Sequence, residues 1–270
     1  MAYEIQLQSG AAMKITMSCK GKFLATGTAF LWEFQSKIYL VTNWHNVAGK
    51  DSITGAWLNK NSVAPDQYSF TVQGADAITG KHIYADVIYR RDDFGTVWYQ
   101  HPTLRGQVDV ALLPFQPIPA KNLCQIKDIE NQRIYLRPGE DAFILGFPLG
   151  IEVEKTPIWK RATVASEPEI DVDGLPKMLV DTATYRGMSG APVIRRVSNG
   201  PTKGGDWVHT MEKVELLGVY SGRLTFGTDK RLSAQESQLG VVWKTRALRD
   251  IALGRQVMAI DAGLVDPDDS

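Results

Sequence analysis

The sequence predicts an all-β protein made of two six-stranded antiparallel β-barrels with a short C-terminal helix. Three observations carry this: short runs rich in β-branched and aromatic residues, Gly, Asn, Asp and Ser clusters between them, and a proline-spaced stretch near the middle. The first set of predicted strands is Ile15–Cys19, Phe23–Phe34, Lys37–Thr42, Tyr68–Gln73, His82–Tyr89 and Val108–Leu113. Pro114, Pro117 and Pro119 then suit a stiff extended connector. The second set is Asp141–Phe147, Trp159–Ala165, Lys177–Ala183, Ala191–Arg196, Val214–Tyr220 and Leu239–Trp243. Six strands, a connector and six strands read as two packed barrels, with residues 1–115 forming the first unit and 116–270 the second. In Thr245–Leu253 the apolar residues Leu248, Ile251 and Ala252 recur at helical spacing, which predicts one amphipathic helix. Beyond it, Asp266, Asp268 and Asp269 read as a solvated acidic tail.

Composition narrows the function classes. The 270 residues are 44% hydrophobic and 22% charged, ordinary for a folded globular chain and incompatible with wholesale disorder. Thirty basic residues balance thirty acidic ones, so no global field draws the protein to nucleic acid, membrane or acidic substrates. The only two cysteines, Cys19 and Cys124, are too few for a secreted disulfide scaffold and read as thiols, with a single Cys19–Cys124 bridge as the alternative. Met1 to Lys22 lacks a basic segment followed by an apolar run, so no leader peptide is expected and the default location is the cytoplasm. His45, His82, His101 and His209 are isolated, and Asp171-Val172-Asp173-Gly174 lacks the remaining ligands of a calcium loop. There is no phosphate loop or dinucleotide fingerprint, so no cofactor or metal is expected.

Three residues stand out for their chemistry. Asp109 lies in Val108-Asp109-Val110-Ala111-Leu112-Leu113, where an ionised carboxylate is costly unless an Arg, a metal or a His ring N–H pairs with it. Taken alone it reads equally well as a solvent-facing residue of an edge strand. His45 ends the hydrophobic run Ile38–Val41 and opens a polar turn, a place that holds a side chain rigidly yet reachably. Ser189 sits in Arg186-Gly187-Met188-Ser189-Gly190-Ala191, either an ordinary Gly-rich hairpin turn or a tight turn presenting a nucleophile. In the second case the N–H groups of Gly187 and Ser189 converge on one spot and form an oxyanion hole. A serine hydroxyl needs a base, and the base works best when a carboxylate fixes its tautomer. The chain order His, Asp, Ser and the presence of Ala191 two residues after the serine exclude the Gly-x-Ser-x-Gly nucleophile elbow.

These segments resemble the three signature segments of trypsin-like serine peptidases: Thr42-Asn43-Trp44-His45-Asn46-Val47, Val108-Asp109-Val110-Ala111-Leu112-Leu113 and Gly187-Met188-Ser189-Gly190-Ala191-Pro192. The flavour is closest to the bacterial HtrA-like branch. Gly27-Thr28-Ala29-Phe30, Gly146-Phe147-Pro148 and Asp181 match as well. The resemblance implies a double barrel with His45, Asp109 and Ser189 as the catalytic residues in the cleft, and a polypeptide substrate. It also implies that Ala183 lines the specificity pocket while Tyr220, Ser221 and Gly222 align the substrate backbone. Ala183 supplies no negative charge, so a small or medium apolar residue is expected before the cut; Arg186 or Arg223 favouring an acidic residue is the alternative, each reading equally well as a surface side chain.

The chain departs from the family in two ways. Met188 stands where digestive members carry the acidic residue that pairs with a freed N-terminus, so an enzyme competent as made, or gated by a loop or regulatory partner, is expected. No peptide-binding module is expected after the helix, which leaves the segments Val47–Gln67 and Val197–Lys213 as candidate recognition loops. The competing reading is a catalytically silent protein-binding module on the same fold. Against it, all three triad positions are filled.

Overall fold

The computed structural model describes residues 5–76, 81–90, 98–116, 121–128, 134–224 and 238–257. After a five-residue helix α1 (Leu7–Ala11), nine strands follow: β1 (Ala12–Cys19), β2 (Lys22–Phe34), β3 (Lys37–Thr42), β4 (Gln67–Asp76), β5 (His82–Arg90), β6 (Tyr99–Gln100), β7 (Ala111–Phe115), β8 (Lys121–Leu123) and β9 (Ile126–Lys127). A short helix α2 (Trp44–Ala48) follows β3. The second half contains β10 (Asp141–Gly146), β11 (Ile158–Val164), β12 (Lys177–Asp181), β13 (Pro192–Pro201), β14 (Trp207–Arg223) and β15 (Leu239–Lys244). Helix α3 (Thr245–Gly254) and β16 (Gln256–Val257) end the described chain.

The strands build the predicted all-β double-barrel architecture. β10 to β15 close into a six-stranded barrel in the order β10-β11-β12-β15-β14-β13. The N-terminal strands form a ten-stranded sheet in the order β16-β6-β7-β3-β2-β1-β4-β5, with β8 added to β4 and β9 to β2. Closing or layering the sheets hides edges that would otherwise expose unpaired backbone groups. Short strands beyond the six predicted account for the larger count. Residues 121–127 pair with the first sheet, and β16 returns to it from the far end of the chain.

Three clusters hold the molecule together. Met13, Ile15, Leu31, Leu40, Tyr68, Phe70 and Trp98 fill the first sheet. Ile144, Met178, Val180, Met188, Val193 and Tyr220 fill the second barrel. The third cluster joins the halves, setting Phe30, Trp32, Val41, Val108 and Val110 against Leu145, Ile194, Val219 and Trp243. Helix α3 seals this seam with Leu248, Ile251 and Ala252, the three residues whose spacing predicts it. The residues on either side of this seam carry the candidate site.

Local departures from the sequence reading have simple causes. The Pro114 connector does not begin where expected, because Pro114 pairs with Tyr39 inside β7; Pro117 and Pro119 lie outside the described residues. Val197–Lys213 is no loop. It is a long hairpin in which Asn199 faces His209 and Pro201 faces Trp207, cross-strand pairing that a polar composition conceals. The acidic tail lies outside the described residues.

Candidate active site

His45 and Asp109 are brought into direct contact. Instead of ending a strand, His45 is the second residue of α2, whose last turn closes on Gly49 in the left-handed region (φ +69°). Asp109 is not inside a strand either. The N–H of Val110 bonds back to the carbonyl of Val108 at 2.8 Å, so the chain bends there and β7 starts only at Ala111. The bend turns the carboxylate inward, where it is 2% exposed. Solvent exposure is thereby ruled out for Asp109, and its partners are on hand. Oδ2 lies 2.7 Å from His45 Nδ1, and Oδ1 accepts the backbone N–H of His45 at 2.8 Å. The side chain of Asn43 donates to the Asp109 carbonyl at 2.6 Å, pinning the main chain as well. Because an ionised carboxylate only accepts, Nδ1 carries the proton and the lone pair of His45 sits on Nε2.

Burial of the ring by itself would lower the His45 pKa. The Asp109 charge and hydrogen bond, helped by the more distant Asp51, outweigh it and raise the pKa above the ordinary 6.5.

Ser189 is carried by a turn that only glycine permits on either side. Gly187 (φ +96°) and Gly190 (φ +90°) occupy conformations strained for other residues, and a Cβ at Gly190 would lie 2.0 Å from the Thr28 carbonyl oxygen. β2 passes beneath this turn and holds it. The Thr28 N–H donates to the Ser189 carbonyl at 2.8 Å, and Thr28 Oγ1 donates to the Gly187 carbonyl at 2.8 Å. Asn46, next to His45, donates to the Ser189 carbonyl at 3.2 Å and to Thr42 Oγ1 at 2.9 Å. The Arg186 carbonyl accepts the Leu149 N–H at 2.7 Å. A trans peptide sets C=O and N–H in opposite directions, so this bond aims the Gly187 N–H away from Leu149. Among the described residues, neither the Gly187 nor the Ser189 N–H has a protein acceptor.

The third link is Ser221, a residue the sequence reading assigns only to substrate alignment. The β14–β15 register slips between Tyr220 and Gly222, which leaves Ser221 as a bulge. Bulges re-aim side chains. Here the hydroxyl of Ser221 donates to Asp109 Oδ2 at 2.5 Å, while its carbonyl accepts from Ser189 Oγ at 3.0 Å. The serine is therefore joined to the His–Asp pair through Ser221 and Asn46, and its hydroxyl points at Ser221 rather than at the imidazole. Neither the bulge nor the reach of Thr28 and Asn46 has a local sequence signal, since each depends on strands distant in the chain.

The expected substrate-binding residues separate. Ala183 is exposed, and Ser221 and Gly222 are half-buried. Tyr220 corrects the expectation that its backbone aligns a substrate. Its N–H is already given to the Ala191 carbonyl and its carbonyl to the Gly190 N–H, both at 2.8 Å.

A closed β-barrel packed against a second, barrel-like sheet, with a buried carboxylate, an imidazole and a glycine-flanked serine at the seam, defines the serine-protease fold. The chain belongs to the trypsin-like peptidase domain family, whose model matches residues 27–199. It is similar in structure to a serine endoprotease from Yersinia pestis, at 13% identity and a TM-score of 0.50, over 93% of this chain and 67% of that one. It is similar as well to the protease Anisep from Arthrobacter nicotinovorans, at 12% identity and a TM-score of 0.49, over 91% of this chain and 95% of that one. At 13% identity the likeness to the Yersinia protein concerns the fold alone. No curated protein matches the sequence.

Proposed function

We propose that the chain is a serine endopeptidase that hydrolyses peptide bonds through an acyl-enzyme. The observation that carries this reading is the 2.7 Å contact between His45 Nδ1 and the buried Asp109 carboxylate, one residue from the Asn46 tie to Ser189. In this scheme Ser189 Oγ leaves Ser221, attacks the scissile carbonyl carbon and passes its proton to His45 Nε2. The new oxyanion is received by the N–H groups of Gly187 and Ser189. His45 returns the proton to the leaving amine as the C–N bond breaks, and a water activated by the same imidazole then releases the acid. Asp109 orients the ring and stabilises the imidazolium, while Ser221 and Asn43 hold Asp109.

Residues 1–115 supply the base and its carboxylate in this reading, and 116–270 supply the nucleophile. Met188 is 1% exposed and packs in the second core, which supports activation without an ion pair to a trimmed N-terminus. Two cysteines, too few for a secreted disulfide scaffold, support a cytoplasmic location, and gating by a partner protein is part of the proposal.

A labelled fluorophosphonate tests the function. Wild type reacts, while Ser189→Ala does not and His45→Ala slows by about a millionfold. The direction of the Ser189 hydroxyl, toward Ser221, favours a second reading: a silent binding module on the same fold. Failure of folded wild type to react would decide for that module.

A further inference from the structure

A peptide poised for attack sets its carbonyl carbon against Ser189 Oγ and its carbonyl oxygen toward the Gly187 and Ser189 N–H groups. The resemblance to trypsin-like peptidases implies that the side chain before the scissile bond enters between two segments: 182–187, which leads into the nucleophile turn, and 220–224, the end of β14. In this chain that gap is already bridged. Tyr220 lies beside the turn because its backbone pairs with Gly190 and Ala191. Its ring points into the barrel, is 1% exposed, and shares a hydrogen bond with Thr184 Oγ1 across the gap. The ring edge passes over Gly240 of β15, where a Cβ would sit 2.6 Å from Tyr220 Cε2. Glycine at 240 is what leaves the phenol its seat. Arg223 adds a second tie by donating Nη2 to the Thr184 carbonyl.

The geometry points to Tyr220 as the residue that sets the substrate class of this site. Its phenol fills the receiving slot, so the chain cleaves after glycine, alanine or serine and rejects large aliphatic, aromatic and basic side chains. The inference rests on the peptidase reading above and specifies its substrate. A leucine or phenylalanine would have to displace the phenol and break its bond to Thr184, in an interior packed too densely to yield. A lysine or arginine meets the neutral Ala183 and the cationic Arg223 instead of a carboxylate.

Fluorophosphonate labelling at Ser189 is measured first, then kcat/KM on peptides that differ only at the residue before the cut. Wild type should label and should favour Ala over Leu or Phe by roughly a hundredfold. Y220F, which keeps the ring, should preserve that preference. Y220A should shift the Phe-to-Ala ratio toward Phe by at least about tenfold, and Y220L replaces it if Y220A does not fold. Labelled wild type that cleaves after Phe as readily as after Ala overturns the inference and leaves the peptidase reading standing. Wild type that fails to label overturns both.

Discussion

Thr28 offers the sharpest test of how the nucleophile turn is held. It is fully buried, donates Oγ1 to the Gly187 carbonyl at 2.8 Å and accepts the Phe147 N–H at 3.3 Å. Thr28→Val keeps the shape and the β-branch but removes both bonds. A buried carbonyl and a buried N–H are then left without partners, each worth about 1–3 kcal/mol, with the longer bond at the low end. The expected loss is about 2–4 kcal/mol, which a domain of ordinary stability survives. The Gly187 peptide also loses its anchor on one side, while the Leu149 bond to Arg186 remains. Losing an oxyanion donor outright costs about a hundred- to a thousandfold in kcat, so partial loosening should cost about ten- to a hundredfold with little change in KM. Urea unfolding and single-turnover acylation measure the two effects, and Thr28→Ser, which restores the hydroxyl, should recover most of both. A folded T28V protein with wild-type midpoint and acylation rate would refute the argument.

Three further outcomes follow from the same geometry. Protonated His45 cannot accept the Ser189 proton, so activity should rise with pH. Asp109 stabilises the imidazolium, so the midpoint of that rise should lie above the ordinary histidine value of 6.5. Asp109→Asn should lower kcat about ten-thousandfold and move the residual midpoint downward, because burial then acts without its opposing charge; an unchanged pH profile would contradict the pairing. Gly190→Ala places a Cβ 2.0 Å from a backbone oxygen at a φ that disfavours it. It should abolish labelling or lower stability by more than about 4 kcal/mol, and wild-type yield with full labelling would show the turn to be slack.

Much of the fold is legible because it is written in local periodicity. Lys37–Thr42 is a short run of β-branched, aromatic and aliphatic residues that stops at the polar Asn43, and the strand has those bounds in the structure. Leu248, Ile251 and Ala252 announce α3. The hairpin from Val197 to Lys213 escapes because its strands are polar and solvent-facing, so no apolar alternation marks them. Asp109 is misplaced into a strand because Val108 to Leu113 is uniformly apolar around it, and a single backbone bond from Val110 to Val108 breaks what composition alone would continue.

The sequence by itself determined the strand-rich class, the sealing helix and the three residue types able to make a hydrolytic triad, since each follows from side-chain chemistry and spacing along the chain. Tertiary structure alone decided what those residues touch. Ser221 reaches Asp109 because a register slip against β15 rotates it, and Thr28 grips a turn about 160 residues away. Whether the slot beside Ser189 stands open depends on Tyr220 lying across Gly240, two residues that neither adjacency nor pattern connects. Contacts of this kind form only when distant strands pack, because hydrogen bonds and van der Waals exclusion act through space over a few ångströms and carry no trace in the local order of residues.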